Sequence, residues 1–179
     1  MNRLGRVDVD DAIRARRTIK AYAPLPVPRE TLEELFELAR WAPNHHLTNP
    51  WRFRVVGPQA LERLKAAVRA GGSGSAAKLD RAPTLVAVSF VRTPDDPVAD
   101  EEDLLATGCA AYAVLLGAHA RGLAAYWRTP AILREPAGRA ALDIPETEHC
   151  VGLLHLGSAR QEQRVPEREP LSNVVSYLD

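Results

Sequence analysis

The chain has 179 residues, of which 46% are apolar, enough for one domain with a substantial core. Lysine plus arginine and aspartate plus glutamate each number 23, so no global field draws in nucleic acid or an anionic membrane. Met1 to Val9 lacks the apolar core of a signal peptide, no apolar run is read as approaching the roughly 18 to 20 residues that cross a bilayer, and the expected location is cytoplasmic.

Val7 to Ala15 reads as a short helix, with Val9, Ala12, Ile13 and Arg16 at helical spacing, and Ile19 to Tyr22 reads as extended. Where one gives way to the other, Arg16-Arg17-Thr18-Ile19-Lys20 crowds three cations and a hydroxyl into five positions. Solvated cations at a helix end are the plainer reading. A bound anion is the sharper one, and above all a phosphate, because guanidinium forks match phosphate oxygens. A helix C-terminus offers a phosphate nothing, so the side chains would have to supply the attraction.

Ala23 to Pro28 is a proline-rich connector, and Arg29 to Trp41 repeats apolar residues at Leu32, Leu35, Phe36, Leu38 and Ala39 as an amphipathic helix does. Pro43 ends that helix and Pro50 restricts the turn that follows, after which Trp51 to Val56 alternates apolar and basic residues as a strand. Leu61, Leu64, Ala67 and Val68 mark another helix. Gly71 to Ser75 is a flexible loop and not a phosphate loop, since no Gly-Lys-Ser/Thr follows and no strand precedes it. Leu85 to Val91 suits a strand buried on both faces. Pro94 to Asp103 reads as an acidic surface connection leading to a central helix, Leu104 to Arg121, apolar nearly all round and stopped by Gly122. Leu123 to Trp127 leads into Arg128-Thr129-Pro130, a short helix follows around Ala131 to Leu142, and Val151 to Leu156 is a strand closed by Gly157. The tail from Ser158 to Asp179 is charged and proline-bearing until Val174, Val175 and Tyr177, and is expected to lie across a partner subunit or its own domain surface. With no repeat and no boundary, one domain spanning 1–179 is expected.

Cys109 and Cys150 lie in apolar surroundings and are read as small core residues. His45 and His46 have no carboxylate or cysteine at ligand spacing, so no metal is expected; His119, His149 and His155 are read as structural. Trp51 opens a strand and is read as core. No Ser-His-Asp or Cys-His arrangement supports a hydrolase.

Four stretches, taken in order, resemble the nitroreductase family: Arg16 to Lys20, Trp41-Ala42-Pro43 through Pro50-Trp51-Arg52-Phe53, Arg121 to Thr129, and Val151 to Gly157. The resemblance covers most of the chain. It implies an α+β fold with a central, mainly antiparallel sheet flanked by helices, built as an intertwined homodimer with two FMN sites at the interface. It further implies that Arg16 and Thr18 hold the flavin phosphate with Arg17 nearby, and that Lys20 faces the pyrimidine edge of the ring. A cation there would raise the flavin's electron affinity, since reduction leaves negative charge near N1 and the C2 carbonyl oxygen. Trp127, Arg128 and Thr129 would meet the cofactor from the other side, and Trp41 and His45 would come from the partner subunit.

The chain departs from the family pattern where many relatives carry a serine, an asparagine and a glutamine; here those positions are Asn44, Leu47 and Asn49. Leu47 cannot hydrogen-bond a flavin edge, and Asn44, His45 or Asn49 would substitute. The long helical insertion that larger relatives place over the ring is missing. The implied activity is ping-pong reduction of a nitroaromatic, a quinone or a similar small acceptor by NADH or NADPH. Flavin N5 would carry the hydride, with no catalytic side chain. Two alternatives stand beside it: another redox enzyme of the same fold, such as a dehalogenase or a flavin-consuming enzyme, and a non-catalytic flavin-binding sensor.

Overall fold

Four strands form one sheet in the order β1-β2-β4-β3, with β1 at Trp51–Val55, β2 at Thr84–Val91, β3 at Leu123–Arg128 and β4 at Glu148–Ser158. Every neighbouring pair is antiparallel. The computed structural model describes residues 8–71 and 74–178, so Val7 and the centre of the glycine loop lie outside it. Among the described residues, five α-helices flank the sheet: α1 (Val9–Ala15), α2 (Arg29–Ala39), α3 (Pro58–Gly71), α4 (Pro97–Ala120) and α5 (Pro136–Ala141). The expected α+β architecture is the one observed.

β2 is apolar along its length because helices cover both of its faces. Val86 and Val88 join Leu154 and Leu156 of β4 under α2 and α4, where Leu35, Ala39, Ala110, Val114 and Ala118 complete one core. Leu85 and Ala87 point the other way, with Leu153, into a second core closed by Leu64 and Val68 of α3 and Leu142 after α5. The period of two along a strand thus feeds two layers at once. β1 lies at the edge, and its alternate arginine has a specific partner. Arg54 grips Glu148 through two hydrogen bonds of 2.7 and 2.9 Å, and Ser89 donates to the same carboxylate at 2.5 Å. Burial alone would raise the Glu148 carboxyl, but the Arg54 and Ser89 hydrogen bonds outweigh it and hold the group below the usual range.

Three sequence expectations need correction. The acidic stretch before residue 104 is not a surface connection, because Asp96 accepts hydrogen bonds from the backbone of Val98 and Ala99 at 3.2 and 3.1 Å and Pro97 takes the first helical position. An N-cap followed by proline starts α4 seven residues earlier than apolar periodicity indicates. The resulting 24-residue helix is long and apolar enough to cross a bilayer by length and composition, contrary to the expectation; half of that stretch is buried inside the protein, as in a core helix. Cys109 is exposed rather than buried, since it lies on an α4 face with Leu105 and Tyr112 that the described residues leave uncovered in large part. Cys150 is buried as expected, and burial pushes its thiol up to about 11.

Gly122 stops α4 with φ +72°, a left-handed conformation that costs glycine little. After β4 the tail is pinned by Ala23 N–H donating to the Ser158 carbonyl at 2.9 Å and Arg160 N–H to the Ala21 carbonyl at 3.0 Å. Residues 160–178 are then exposed throughout, with Val165, Leu171, Val174, Tyr177 and Leu178 among them. Of the two placements expected for the tail, its own domain surface is the one seen for residues 163–168, which lie beside Arg16, Arg17 and Thr18.

His155 sits in the sheet with 1% of its surface exposed, its ring 5.6 Å from that of Tyr126, and neither ring nitrogen has a hydrogen-bond partner among the described residues. Burial, then Arg128 and Arg81, push its pKa down to about 4. The neutral form is therefore the folded form. Because the folded value lies below the ordinary one, the full stability is present above about pH 6.5 and is lost as pH falls toward 4, by roughly 3 kcal/mol. His155→Leu should flatten that slope. Urea unfolding at pH 7, 5.5 and 4.5 tests this: an unchanged slope in the variant would contradict it.

Candidate functional site

α1 is short and ends where it must. Asp8 caps its start by accepting from Asp10 N–H at 2.9 Å, and Arg16 N–H makes the last helical bond, to Ala12, before Arg16 itself turns extended. Thr18 then pairs in parallel with Ala125 of β3, and Tyr22 pairs antiparallel with Ala159. The segment 18–22 is thus an extra strip along the free edge of β3, and it displays Arg16 to Lys20 beside the tail. There the chain encloses a hollow of about 270 Å³ lined by Arg16, Arg17, Thr18, Gln163, Arg164, Pro166 and Arg168.

Among the described residues, four guanidinium groups line this hollow and no carboxylate does. Arg17 spends one nitrogen on the carbonyls of Arg14 and Arg16, and Arg16 lies over the Tyr112 ring with its guanidinium carbon 5.9 Å from the centroid. The Nε atoms of both arginines are buried without a hydrogen-bond partner among the described residues. His119, on the last turn of α4, is held below its ordinary pKa by burial and by Arg16 and Arg17. Like charges gathered with orphaned buried donors are costly unless an anion completes them. The chemistry of this donor set fits a phosphate. The sequence reading missed Gln163, Arg164 and Arg168. Their only signal was arginines four apart, at 160, 164 and 168, in a tail without periodicity.

Lys20 is exposed, with Nζ 5.6 Å from the centroid of the Tyr126 ring. Directly after Tyr126 come Trp127 and Arg128, the last residues of β3, and then Thr129. Trp127 Nε1–H donates to the Val151 carbonyl at 3.2 Å, and its ring lies against Gly152, where a Cβ would stand 2.1 Å from Nε1. Only glycine allows the indole that position. Trp127 and Thr129 line a second hollow of about 220 Å³, with Leu104, Leu133, Arg134, His149 and Cys150 among its walls. Arg128 is half-buried, is close enough to His155 to lower its pKa, and is not among the residues lining that hollow.

The third group is the turn after α2. His46, Leu47 and Asn49 all have positive φ, at 53°, 52° and 47°, each a strained choice for a residue other than glycine. Side chains hold the strain in place. Asn44 accepts from Asn49 N–H at 2.9 Å and donates to Thr48 Oγ1 at 2.8 Å, Thr48 donates to the buried Asp103 at 2.5 Å, and Asn49 Nδ2 donates to the Leu47 carbonyl at 2.7 Å. The amides of Asn44 and Asn49 are therefore spent on the turn itself. His45 Nδ1 lies 2.7 Å from Glu102 and its ring stacks on His46 at 3.9 Å. Leu47 projects with 78% of its surface exposed, and Trp41, 79% exposed, donates from Nε1 to Glu37 at 3.2 Å. Among the described residues, no group of three histidine, cysteine or acidic side chains is placed to hold a metal.

The structure therefore brings Arg16, Arg17 and Thr18 together, sets Trp127 and Thr129 at a second place, and sets Asn44 and His45 at a third, all against α4. Tyr112 and His119 face the first group, Leu104 the second, and Glu102, Leu105 and Cys109 the third. Ten residues separate Glu102 from Tyr112, about 15 Å along the helix.

Comparisons with known proteins agree on one family. The profile described as the nitroreductase family matches residues 13–73 and 72–158. The YdjA protein of Escherichia coli K12, which carries the name of an NAD(P)H nitroreductase, is 29% identical over 177 residues, covering 91% of this chain and 95% of its own. YfhC of Bacillus subtilis, similarly named, is 26% identical over 174 residues, with 90% and 89% covered. Among solved structures, a nitroreductase-like family protein from Bacillus cereus superposes with a TM-score of 0.88 at 22% identity, covering 98% of both chains. A nitroreductase from Desulfovibrio desulfuricans, solved in complex with FMN, gives 0.79 at 25% identity, covering 98% of this chain and 99% of its own.

The contact of Trp127 with Gly152 gives a direct test of how the second hollow is built. Gly152→Ala should displace the indole, lowering stability by roughly 1–3 kcal/mol. That corresponds to a melting temperature about 3–10 °C lower, with a changed near-UV circular dichroism signal. An unchanged near-UV spectrum would show that the ring is not fixed there.

Proposed function

The chain belongs to the nitroreductase family, and from that premise we propose that it is an FMN-dependent oxidoreductase taking electrons from NADH or NADPH and passing them to a small acceptor such as a nitroaromatic or a quinone. The observation that carries this reading is the arginine hollow with its two orphaned, buried Nε atoms. Bound FMN would supply the hydride-accepting and electron-donating chemistry. The chain's own residues bind and orient.

Arg16, Arg17, Thr18, Arg164 and Arg168 hold the phosphate, with Thr18 supplying a hydroxyl and the arginines charge-assisted hydrogen bonds. Lys20 brings a cation to the pyrimidine edge. Trp127 backs the ring and Thr129 presents an exposed hydroxyl beside it. Asn44 and Asn49 serve the ring indirectly, by stiffening the turn from which His45 and Leu47 project. Leu47 then offers an apolar surface, not a hydrogen bond.

The active unit in this reading is a homodimer. Leu105, Cys109 and Tyr112 form an uncovered face of α4, and Val174, Tyr177 and Leu178 of the tail are exposed as well. A two-fold interface presents the same patch on both copies. With α4 antiparallel to its copy, the His45 end of one protomer meets the Arg16 end of the other. The roughly 15 Å between these ends along α4 is about the length of a flavin mononucleotide. Trp41 and His45 would thus complete the site of the partner.

Two measurements test the reading. Protein loaded with FMN should show flavin absorbance that bleaches when NADH or NADPH is added anaerobically; bound flavin that stays oxidised would contradict the activity. Arg16→Ala and Arg168→Ala should each weaken FMN binding roughly ten- to hundredfold without loss of the fold. Stoichiometric flavin in both variants would contradict the phosphate site.

A further inference from the structure

His45 projects from the strained turn after α2 with its ring held on two sides. Glu102 Oε2 fixes its edge, 2.7 Å from Nδ1, and His46 stacks on one face at a centroid distance of 3.9 Å. The backbone beneath is fixed as well, by the bonds among Asn44, Thr48, Asn49 and Asp103. Yet the side chains of His45 and Glu102 are 59% and 40% exposed. A pair so open contributes little to folding, so stability does not account for this much order.

A carboxylate on Nδ1 selects the function of an imidazole. By accepting Nδ1–H it fixes the tautomer and leaves Nε2 as the nitrogen that can hand on a proton. The ring borders a hollow of about 240 Å³ whose walls include Pro43, Leu105, Ala106 and Cys109. Among the described residues, the titratable groups around it on α4 are Glu102 and Cys109, with Asp103 one step away and already taking the Thr48 hydroxyl; on its own turn the group is His46. Glu102 is the one bonded to the ring.

We propose that His45, oriented by Glu102, is the catalytic acid that protonates the acceptor as it is reduced. The assignment rests on the shared flavin site given above, in which His45 reaches the ring held by the partner, and it deepens that reading by supplying the proton that hydride transfer lacks. With a nitro acceptor, hydride from the reduced ring brings two electrons and one hydrogen, and His45 Nε2 gives one proton. One N–O bond breaks, the oxygen leaves as water carrying both hydrogens, and a nitroso compound remains, which leaves the flavin oxidised. His45 regains its proton from solvent. Glu102 touches no reacting atom and is a positioning residue.

Stopped-flow absorbance of FMN-loaded protein, reduced with dithionite and mixed anaerobically with 4-nitroacetophenone, reads the step directly. Wild-type reoxidation should slow as pH rises from 5.5 to 8.5, the range in which histidine ordinarily gives up its proton. His45→Gln should slow it at least tenfold at pH 6 and remove the pH dependence. Glu102→Ala should slow it less and displace the pH profile, which a purely structural role would not do; it keeps the imidazole and so covers poor flavin retention by His45→Gln. Nitrogen NMR of the FMN-free protein at pH 8.5 should find the neutral His45 ring protonated on Nδ1, moving toward Nε2 in Glu102→Ala. Unchanged reoxidation in His45→Gln, a pH profile lost in His46→Gln instead, or a wild-type ring protonated on Nε2 would overturn the proposal. Since dithionite reduces the flavin, failure of NADH and NADPH to bleach it counts against the donor reading alone, and His45 is still tested.

Discussion

The backbone pairing of residues 18–22 with the ends of β3 and β4 is the constraint on which the rest of the arrangement depends. Without it, Arg16 and Arg17 would be cations fraying from the end of a seven-residue helix, and such a helix is marginal by itself. The Thr18–Ala125 and Tyr22–Ala159 bridges and the bond from Arg160 to Ala21 tie the N-terminal strip and the start of the tail to one sheet edge. The tail then passes Arg16 and Arg17 and adds two more guanidinium groups. Charges that would repel one another in a free chain are held together by hydrogen bonds that carry no charge. That is how a protein pre-organises an anion site, with the cost met by folding and not by binding.

α4 organises the second level. Its buried side fixes the helix against β2 and β4, and its exposed side carries Glu102, Leu105, Cys109 and Tyr112 in succession. The three candidate groups all pack against this one rigid rod, between Glu102 and His119. A helix whose apolar side chains remain exposed after folding is best satisfied by a copy of itself. In the proposed dimer, the two-fold relation converts a separation along one helix into a contact between two. The strained turn at residues 46–49 fits this view. Three left-handed residues other than glycine persist there because Asn44, Thr48 and Asp103 hold them, and strain of that kind collects where a loop has to present particular groups.

Much of the scaffold was legible in the residues. The runs at 85–91 and 151–156, and the spacing in 29–41, identify elements that the structure contains, because burial on one or both faces leaves a periodic signature. What periodicity does not report is how a helix begins. The acidic residues before 104 look like a solvated connection, yet Asp96 and Pro97 make them the first turns of α4, and Asp103 is buried. Cys109 misled for a related reason: apolar neighbours in sequence do not show which side of a helix its own chain covers. At the candidate site, the Arg16 to Thr18 cluster was visible because its chemistry is local. Arg164 and Arg168 were not, since their role depends on a tail passing the N-terminal strip, a contact between residues about 150 apart in sequence. That Asn44 and Asn49 also hold their own turn together was not legible, because those hydrogen bonds depend on the backbone conformation of residues 46–49.

Subunit complementation tests the central claim, a cofactor site shared by two copies, most directly. One variant would carry Arg16→Ala and Arg168→Ala, damaging the phosphate side; the other would carry Trp41→Ala and His45→Ala, damaging the turn. Each should retain little FMN alone. Co-expressed with different affinity tags and purified as the hybrid, they should form dimers in which one site holds all four substitutions and the other none, so that flavin returns to about half of the sites. A hybrid of confirmed composition that stays without flavin would contradict the account, because it would mean that both halves of the site belong to the same chain.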